Sequence, residues 1–279
     1  MKKTLAVLVA LAVSVAAFAQ VKNQNVLFKH VSLGVGIGDD LHAEVATTLT
    51  PWLQMRVMYS TLMPYVSLVS PLADKLMPGA TLSPLHVPVN VNYKSAEINI
   101  DRVDIDGSIN WHDINLLFDL YPARNSVFHF TVGAMFGLAP KMLVAEGKPT
   151  PALNQADWTT TRFMGVTTNK QGNVDIEARF AMSSVKPYVG IGFGRPVTKN
   201  NAVGVNFDLG VAYIGGIHIY SKDYYQNPDA PADVEINSAW VNSEPKVKEQ
   251  VGAYTQYIDF VNSLPVLPVM RITLNVRLF

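Results

Sequence analysis

The chain runs to 279 residues, with 22 basic and 22 acidic side chains, no cysteine and 49% apolar residues. That balance excludes a basic nucleic-acid-binding surface, and the lack of cysteine excludes disulfide staples and thiolate chemistry. After the first twenty residues no apolar run approaches the roughly 18 needed for a membrane helix, so the apolar residues are dispersed and their period becomes the question.

The N terminus, MKKTLAVLVALAVSVAAFA, joins a basic Lys2-Lys3 segment, a short apolar core over residues 4–15 and a small-x-small cleavage signal at Ala17-Phe18-Ala19. It reads as a signal peptide cleaved after Ala19, with residues 20–279 forming one mature domain. Losing Lys2 and Lys3 leaves 20 basic against 22 acidic residues, a net charge of −2.

From residue 31 onward the apolar period is two, which is the period of a strand with one apolar face. VSLGVGIG (31–38) sets Val31, Leu33, Val35 and Ile37 against Ser32, Gly34, Gly36 and Gly38. LHAEVATTL (41–49) and WLQMRVMYS (52–60) follow, with Glu44 and Arg56 on their polar faces. DINLLFDLY (113–121) places Asp113 and Asp119 on its polar face, and VFHFTVGAMFG (127–137) places His129 and Thr131 there. VKPYVGIGFG (185–194) sets Lys186, Tyr188, Gly190, Gly192 and Gly194 against a wholly apolar face. AVGVNFDLGVAY (202–213) carries Asp208, and PVMRITLNVRLF (268–279) carries Arg271 and Arg277.

These are eight strands, most of the length that crosses a bilayer at a tilt. The connections at 50–51, 122–126 and 195–200 are short, whereas 61–102, 138–173 and 215–266 are long. Short turns at one end and long loops at the other are the pattern of an outer-membrane barrel, here with both termini at the periplasmic end. VDIDGSINW (103–111) and VDIEARF (174–180) also alternate and lead into neighbouring strands. They are read as extensions above the membrane, with bulges where the phase slips; the rival reading makes them separate strands of a ten- to twelve-stranded barrel.

The glycines follow from the barrel's size. An eight-stranded lumen is only just wide enough for side chains, so glycines must leave room for long polar neighbours. The inward faces hold Glu44, Arg56, Asp113, Asp119, Lys186, Asp208, Arg271 and Arg277, four acids and four bases. Buried charges must be paired, so these eight predict an ionic network filling the lumen. A water-soluble sandwich or lipocalin-like barrel would reverse the two faces.

The segments FDLYP (118–122), PYVGIGFG (187–194), NFDLGVAY (206–213) and the terminal Phe279 occur in an order that resembles the small Gram-negative outer-membrane barrel family of OmpW/OmpX-like architecture. The resemblance covers most of 31–60 and 103–279. It implies an eight-stranded fold in the outer membrane, with a helix before the last strand, and says little about activity. Phe279 departs from the pattern, because Leu278 keeps the outward phase and Phe279 lies one residue past it.

Candidate chemistry is sparse. GVGIGDD and GIGFG keep period two within strands, so they are not phosphate loops, which must open a helix. Asp101, Asp104 and Asp106 before Gly107 are candidates for calcium, although the full loop spacing is missing; Asp104 and Asp106 are the only metal candidates carried forward. His129 and Thr131 share a face and suit a nucleophile with its base, but a packed interior histidine is the simpler reading; His42 and His112 have no evident hydroxyl partner. The segment 61–91 is apolar with four prolines and suits a cover over the barrel mouth or an apolar ligand pocket. A helix is predicted from Pro245 to about 263, with Val247, Val251, Tyr254, Ile258 and Val261 as its apolar stripe.

The sequence is thus read as an all-β, up-and-down antiparallel transmembrane barrel of eight strands with one amphipathic helix. The reading assigns no enzymatic activity and no cofactor. Its expected partners are outer-membrane lipid, lipopolysaccharide and the barrel-assembly machinery, with a monomeric state and a structural or binding role through the loops 61–102, 138–173 and 215–266. The alternatives are a wider barrel passing small hydrophobic solutes and a lipid-modifying enzyme.

Overall fold

A computed structural model gives the structure of residues 30–278, save 63–69, 73, 76–77, 83, 95–98, 140, 153–166, 182–184, 199–200, 226, 228, 244, 246–247, 250–251 and 253–254. The leader 1–19, its cleavage site and Phe279 lie outside the described residues, as do Val247, Val251 and Tyr254 of the helical stripe.

Eight strands close on themselves: β1 (Val31–Gly38), β2 (Leu41–Thr50), β3 (Leu53–Thr61), β7 (His112–Leu120), β8 (Phe128–Gly137), β11 (Val185–Gly194), β12 (Val203–Tyr213) and β15 (Val266–Arg277). Their order around the barrel is β1-β15-β12-β11-β8-β7-β3-β2, every pair antiparallel, with the first and last strands joined from Ser32–Arg277 to Gly38–Arg271. The fold is therefore an all-β antiparallel barrel of eight strands, and the ten- to twelve-stranded alternative is overturned.

The remaining strands form a second sheet. They are β4 (Thr81–Leu82), β5 (Leu85–Lys94), β6 (Asn99–Ile109), β9 (Leu143–Thr150), β10 (Val174–Phe180), β13 (Ile217–Asp223) and β14 (Ala232–Glu235), in the order β14-β13-β10-β9-β6-β5-β4. Its central run β13-β10-β9-β6 repeats the order β12-β11-β8-β7 of half the barrel, strand above strand. The extensions predicted at 103–111 and 174–180 are β6 and β10. The segments 61–102, 138–173 and 215–266 are not loops throughout, because β4, β5, β9, β13 and β14 lie within them.

The long connections are also not uniform. β1 and β2 meet at the long-loop end through Asp39 and Asp40 alone, so the raised wall stands over one half of the barrel and the rim is low over the other. The helical segments before β15 include α1 (Ser238–Ser243) and α2 (Thr255–Ser263). Ile236 and Trp240 of the α1 region pack on Ile100, Val103 and Val174 of the upper sheet, and α2 packs against β13. Of the predicted stripe, Ile258 is half-buried on α2. No helix among the described residues is long and apolar enough to cross a membrane.

The two faces of the wall exchange polarity along its height. In the barrel the outward residues are apolar and open, with Val35 62%, Val205 58% and Phe130 50% exposed, while the inward Arg56 and Asp119 are fully buried. In the upper sheet Ile105, Ile176 and Val103 share the packed face, while Asp106, Glu177 and Arg179 lie on the other. Phe180 and Trp111 sit at the base of the packed face, edge to face at 5.0 Å, with the ammonium of the lumen residue Lys186 over Phe180 at 4.8 Å. The apolar face of the upper sheet is therefore continuous with the lumen side.

Candidate functional site

Inward-facing side chains are buried along the height of the barrel. Along β3 the inward residues run Gln54, Arg56, Met58 and Ser60, each buried, and each belongs to a different kind of contact. Register brings Gln54 opposite Asp119, Arg56 opposite Leu117, Met58 opposite Asn115 and Ser60 opposite Asp113.

At the short-turn end, Gln54 closes on the 195–202 turn as if it were a strand edge. Its Nε2 donates to Val197 O at 3.0 Å, and Val197 N donates to its Oε1 at 3.2 Å. Val197 is 1% exposed, so its side chain is tucked into the barrel end. Arg195 lies over the Tyr121 ring at 3.9 Å and donates to Ser126 O and Arg124 O, which ties two short turns together.

Above that plug Arg56 is clamped. Its Nη1 and Nη2 donate to both oxygens of Asp208, at 2.7 and 2.9 Å, and Nη2 also donates to Asp119 Oδ1 at 2.8 Å. Thr131 donates to Asp119 Oδ1 at 2.8 Å, and Asn206 Nδ2 donates to Asp208 Oδ2 at 2.6 Å. His129 Nε2 lies 3.2 Å from Asp208 Oδ1. Glu44 stands off, its Oε2 3.6 Å from Arg56 Nη1. Asp119, His129 and Asp208 gather ligand atoms within 4.8 Å of one another, in the manner of a metal centre. The same Oδ1 atoms of Asp119 and Asp208 already accept from Arg56 Nη2, so the guanidinium is the cation of this group.

Next comes an apolar layer of Met58, Leu117, Met135, Tyr188, Ala212 and Val269, with Leu267 packed against it. At the long-loop end two ion pairs complete the filling. Lys186 Nζ donates to Asp113 Oδ1 at 2.6 Å, and Trp111 Nε1 donates to Asp113 Oδ2 at 3.1 Å. Arg271 Nη2 donates to Asp40 Oδ2 at 2.5 Å, and its Nε lies 3.6 Å from Asp39 Oδ1. Asp40 Oδ1 also meets His42 Nδ1 at 2.8 Å, and His42 Nε2 meets Thr273 Oγ1 at 2.9 Å.

Of the eight charges predicted to form one network, Glu44, Arg56, Asp119 and Asp208 are gathered together. Lys186–Asp113 and Arg271–Asp40 form two further pairs beyond the apolar layer. Arg277 does not join them: it lies at the opposite rim and donates to Thr198 O at 3.2 Å. One network is thus three, because the apolar layer separates the central cluster from the pairs. Sequence reasoning missed Asp40, His42 and Thr273, which meet only because the first hairpin is seamed to the last strand. It also missed Gln54–Val197, for which a short turn gives no signal. His129 was signalled by its inward phase.

The histidine–hydroxyl readings resolve differently. Thr131 and His129 do not bond each other; each goes to its own carboxylate. His112 meets Tyr59 OH at 2.8 Å on the outer face. Thr273–His42–Asp40 has the connectivity of a nucleophile triad, but Thr273 is fully buried and His42 nearly so. The calcium candidates are not brought together. β6 is a strand, so Asp101 falls on the opposite face from Asp104 and Asp106, Asp104 takes Arg102 at 2.6 Å, and Asp106 takes His86 and Lys148 at 2.6 and 2.7 Å.

At the long-loop rim, between two barrel strands, the Asp39-Asp40 turn is titratable. Burial pushes the Asp39 carboxyl up to about 6 against the pull of Arg271, with Asp40 adding to the rise. Burial also acts to raise Asp40, but His42 and Arg271 outweigh it and hold that carboxyl below its ordinary value.

No family model and no curated protein matches the sequence. Among solved structures the chain is similar to the crystal structures of Acinetobacter baumannii CarO and CarO2, each at 15% identity with a TM-score of 0.38, over 91% of this chain and 99% and 100% of theirs.

Proposed function

We propose that this chain is an integral outer-membrane barrel of a Gram-negative bacterium, a monomer with a filled, non-conducting lumen that serves a structural or binding role through its raised outer sheet. The observation that carries this reading is the inverted polarity of the barrel: aliphatic and aromatic side chains open on the outside, and Arg56, Asp119, Asp208 and Lys186 buried on the inside. Water would penalise that outer surface, whereas a bilayer requires it, together with a closed strand ladder. The leader read in residues 1–19 suits Sec export, and the terminal strand suits capture by the assembly machinery.

The surface offered to partners is the charged face of the upper sheet, where Lys141, Glu177, Arg179, Asp233 and Lys222 pair in a continuous ladder. Lipopolysaccharide headgroups would surround it. No catalytic role is proposed: Thr273, the hydroxyl of the triad-like set, is wholly enclosed, so that set is read as the clasp of the barrel seam.

The experiment is fractionation followed by electrophoresis of unboiled and boiled samples, with protease added to intact cells. The expected result is an outer-membrane band whose migration changes on boiling and whose upper sheet is cut from outside. Recovery in the periplasmic wash, without a heat-dependent shift, would sink the reading.

A further inference from the structure

We propose that the lumen holds a hard divalent cation, calcium in the first instance, between the carboxylate of Glu44 and the side-chain oxygens of Asn275, Asn206 and Ser32. This site is distinct from the Arg56 clamp and involves different oxygens. Glu44 is 2% exposed, Asn275 1%, and Asn206 and Ser32 fully buried. Both carboxylate oxygens of Glu44, both amide atoms of Asn275, the Oδ1 of Asn206 and the hydroxyl of Ser32 have no hydrogen-bond partner. Buried polar atoms are ordinarily satisfied, so several such oxygens in one part of a lumen call for a shared partner.

Register says why Glu44 and Asn275 converge. Gly34 pairs with Glu44 on one side and with Asn275 on the other, all on the inward face. A Cβ at Gly34 would overlap both Asn275 Oδ1 and the Cγ of Glu44, so the two side chains reach toward each other over the glycine. Two comparable rows are already bridged. His42 meets Thr273 over Gly36, and His129 meets Asp208 over Gly192. The Glu44–Gly34–Asn275 row has the same form, but neither carboxylate oxygen of Glu44 nor the Oδ1 of Asn275 is bonded across it. Asn206 stands on β12, beside β15, and its amide nitrogen is already given to Asp208, which leaves its oxygen as the free atom.

Charge points the same way. Glu44, Asp119 and Asp208 are countered within the cluster by Arg56, whose hydrogen bonds go to the two aspartates and not to Glu44. Three carboxylates thus face one guanidinium in a region closed to water, and buried charge without a full counter-charge is strongly disfavoured. A divalent ion on Glu44 supplies counter-charge. Carboxylate, amide carbonyl and hydroxyl oxygens are the ligands that calcium takes, and its tolerance of irregular geometry suits donors from four strands.

The test refolds the whole mature chain in detergent with calcium, with magnesium or with chelator, then follows heat-dependent migration and the urea midpoint. Terbium emission sensitised by the protein's tyrosines reads occupancy directly. Calcium should raise the midpoint and terbium should bind at one site per chain, both effects being lost in Glu44→Gln and reduced in Asn275→Ala. Should Glu44→Gln fail to fold, Asn275→Asp decides the matter: the added carboxylate should deepen the dependence on calcium. No calcium effect on the refolded wild type would overturn the site. So would an effect that persists undiminished in Glu44→Gln, which would place the ion on the outer sheet. Stability of Glu44→Gln in chelator equal to that of the wild type in calcium would overturn it as well, because Glu44 would then need only a proton.

Discussion

Gly192 is the residue around which the central cluster is arranged. His129 and Asp208 flank it on neighbouring strands, and a Cβ there would overlap His129 Nε2 and crowd Phe207 O at 2.6 Å. The backbone oxygen cannot move aside without breaking the β11–β12 ladder, so the histidine would have to leave Asp208. Gly147 of the upper sheet is a contrasting case: a Cβ would meet Val103 Cγ1 at 3.1 Å, a flexible methyl. Gly192→Ala should therefore destabilise the barrel by about 1–3 kcal/mol, as overpacking does, while Gly147→Ala stays close to the wild type. The urea midpoint of the heat-modifiable form measures both. Equal midpoints for the two variants would remove the packing explanation of the lumen glycines.

At the scale of the element, the eight barrel strands were legible because apolar and polar residues alternate along most of each. VDIEARF and VKPYVGIGFG also kept their period, but their apolar residues fall on even positions in the first and odd positions in the second. That change of phase records where the wall passes from a packed inner face to an open apolar outer face. β9 and β13 were not legible: Gly147 and Pro149 interrupt LVAEGKPT, and Gly215 and Gly216, both at positive φ, separate IHIYSKD from the strand before it. Nor did period two show that Asp39-Asp40, a two-residue turn at the long-loop end, clasps β15. That turn makes a prediction about pH. The raised Asp39 carboxyl binds its proton more tightly folded than unfolded, so it costs stability above about pH 6 and that cost is relieved as pH falls toward 4. The lowered Asp40 carboxyl acts oppositely: its stabilisation is present above about pH 4 and is lost as pH falls further. The wild-type unfolding free energy from urea titration should rise between pH 7 and about 4.5, by on the order of 1–2 kcal/mol, and then fall. Asp39→Asn should flatten the rise and keep the fall. A rise unchanged in that variant would assign it to another group.

At the scale of the molecule, three unlike fillings lie in series along one narrow lumen: the Gln54–Val197 plug, the Arg56 cluster and the apolar layer around Met58. On the proposed reading an ion would have to pass Val197, shed its water beside a clamped guanidinium and cross a layer lined chiefly by Met58, Leu117, Met135 and Val269. These barriers are independent because they rest on different strands and different chemistry, so removing one leaves the others. Met58→Ala tests that independence. It empties part of the apolar layer and should cost about 2–5 kcal/mol of stability, as large-to-small core changes do. The Arg56 clamp on Asp208 and Asp119 does not involve Met58 and should persist. Both the wild type and Met58→Ala should then give no discrete conductance steps in planar bilayers, even as the variant unfolds at lower urea. Steps in the variant alone would show that the apolar layer is the sole seal and the clamp is permeable. Steps in the wild type would mean that the filled lumen opens in a bilayer, and the outer sheet would then have to be reconsidered as the mouth of a pore.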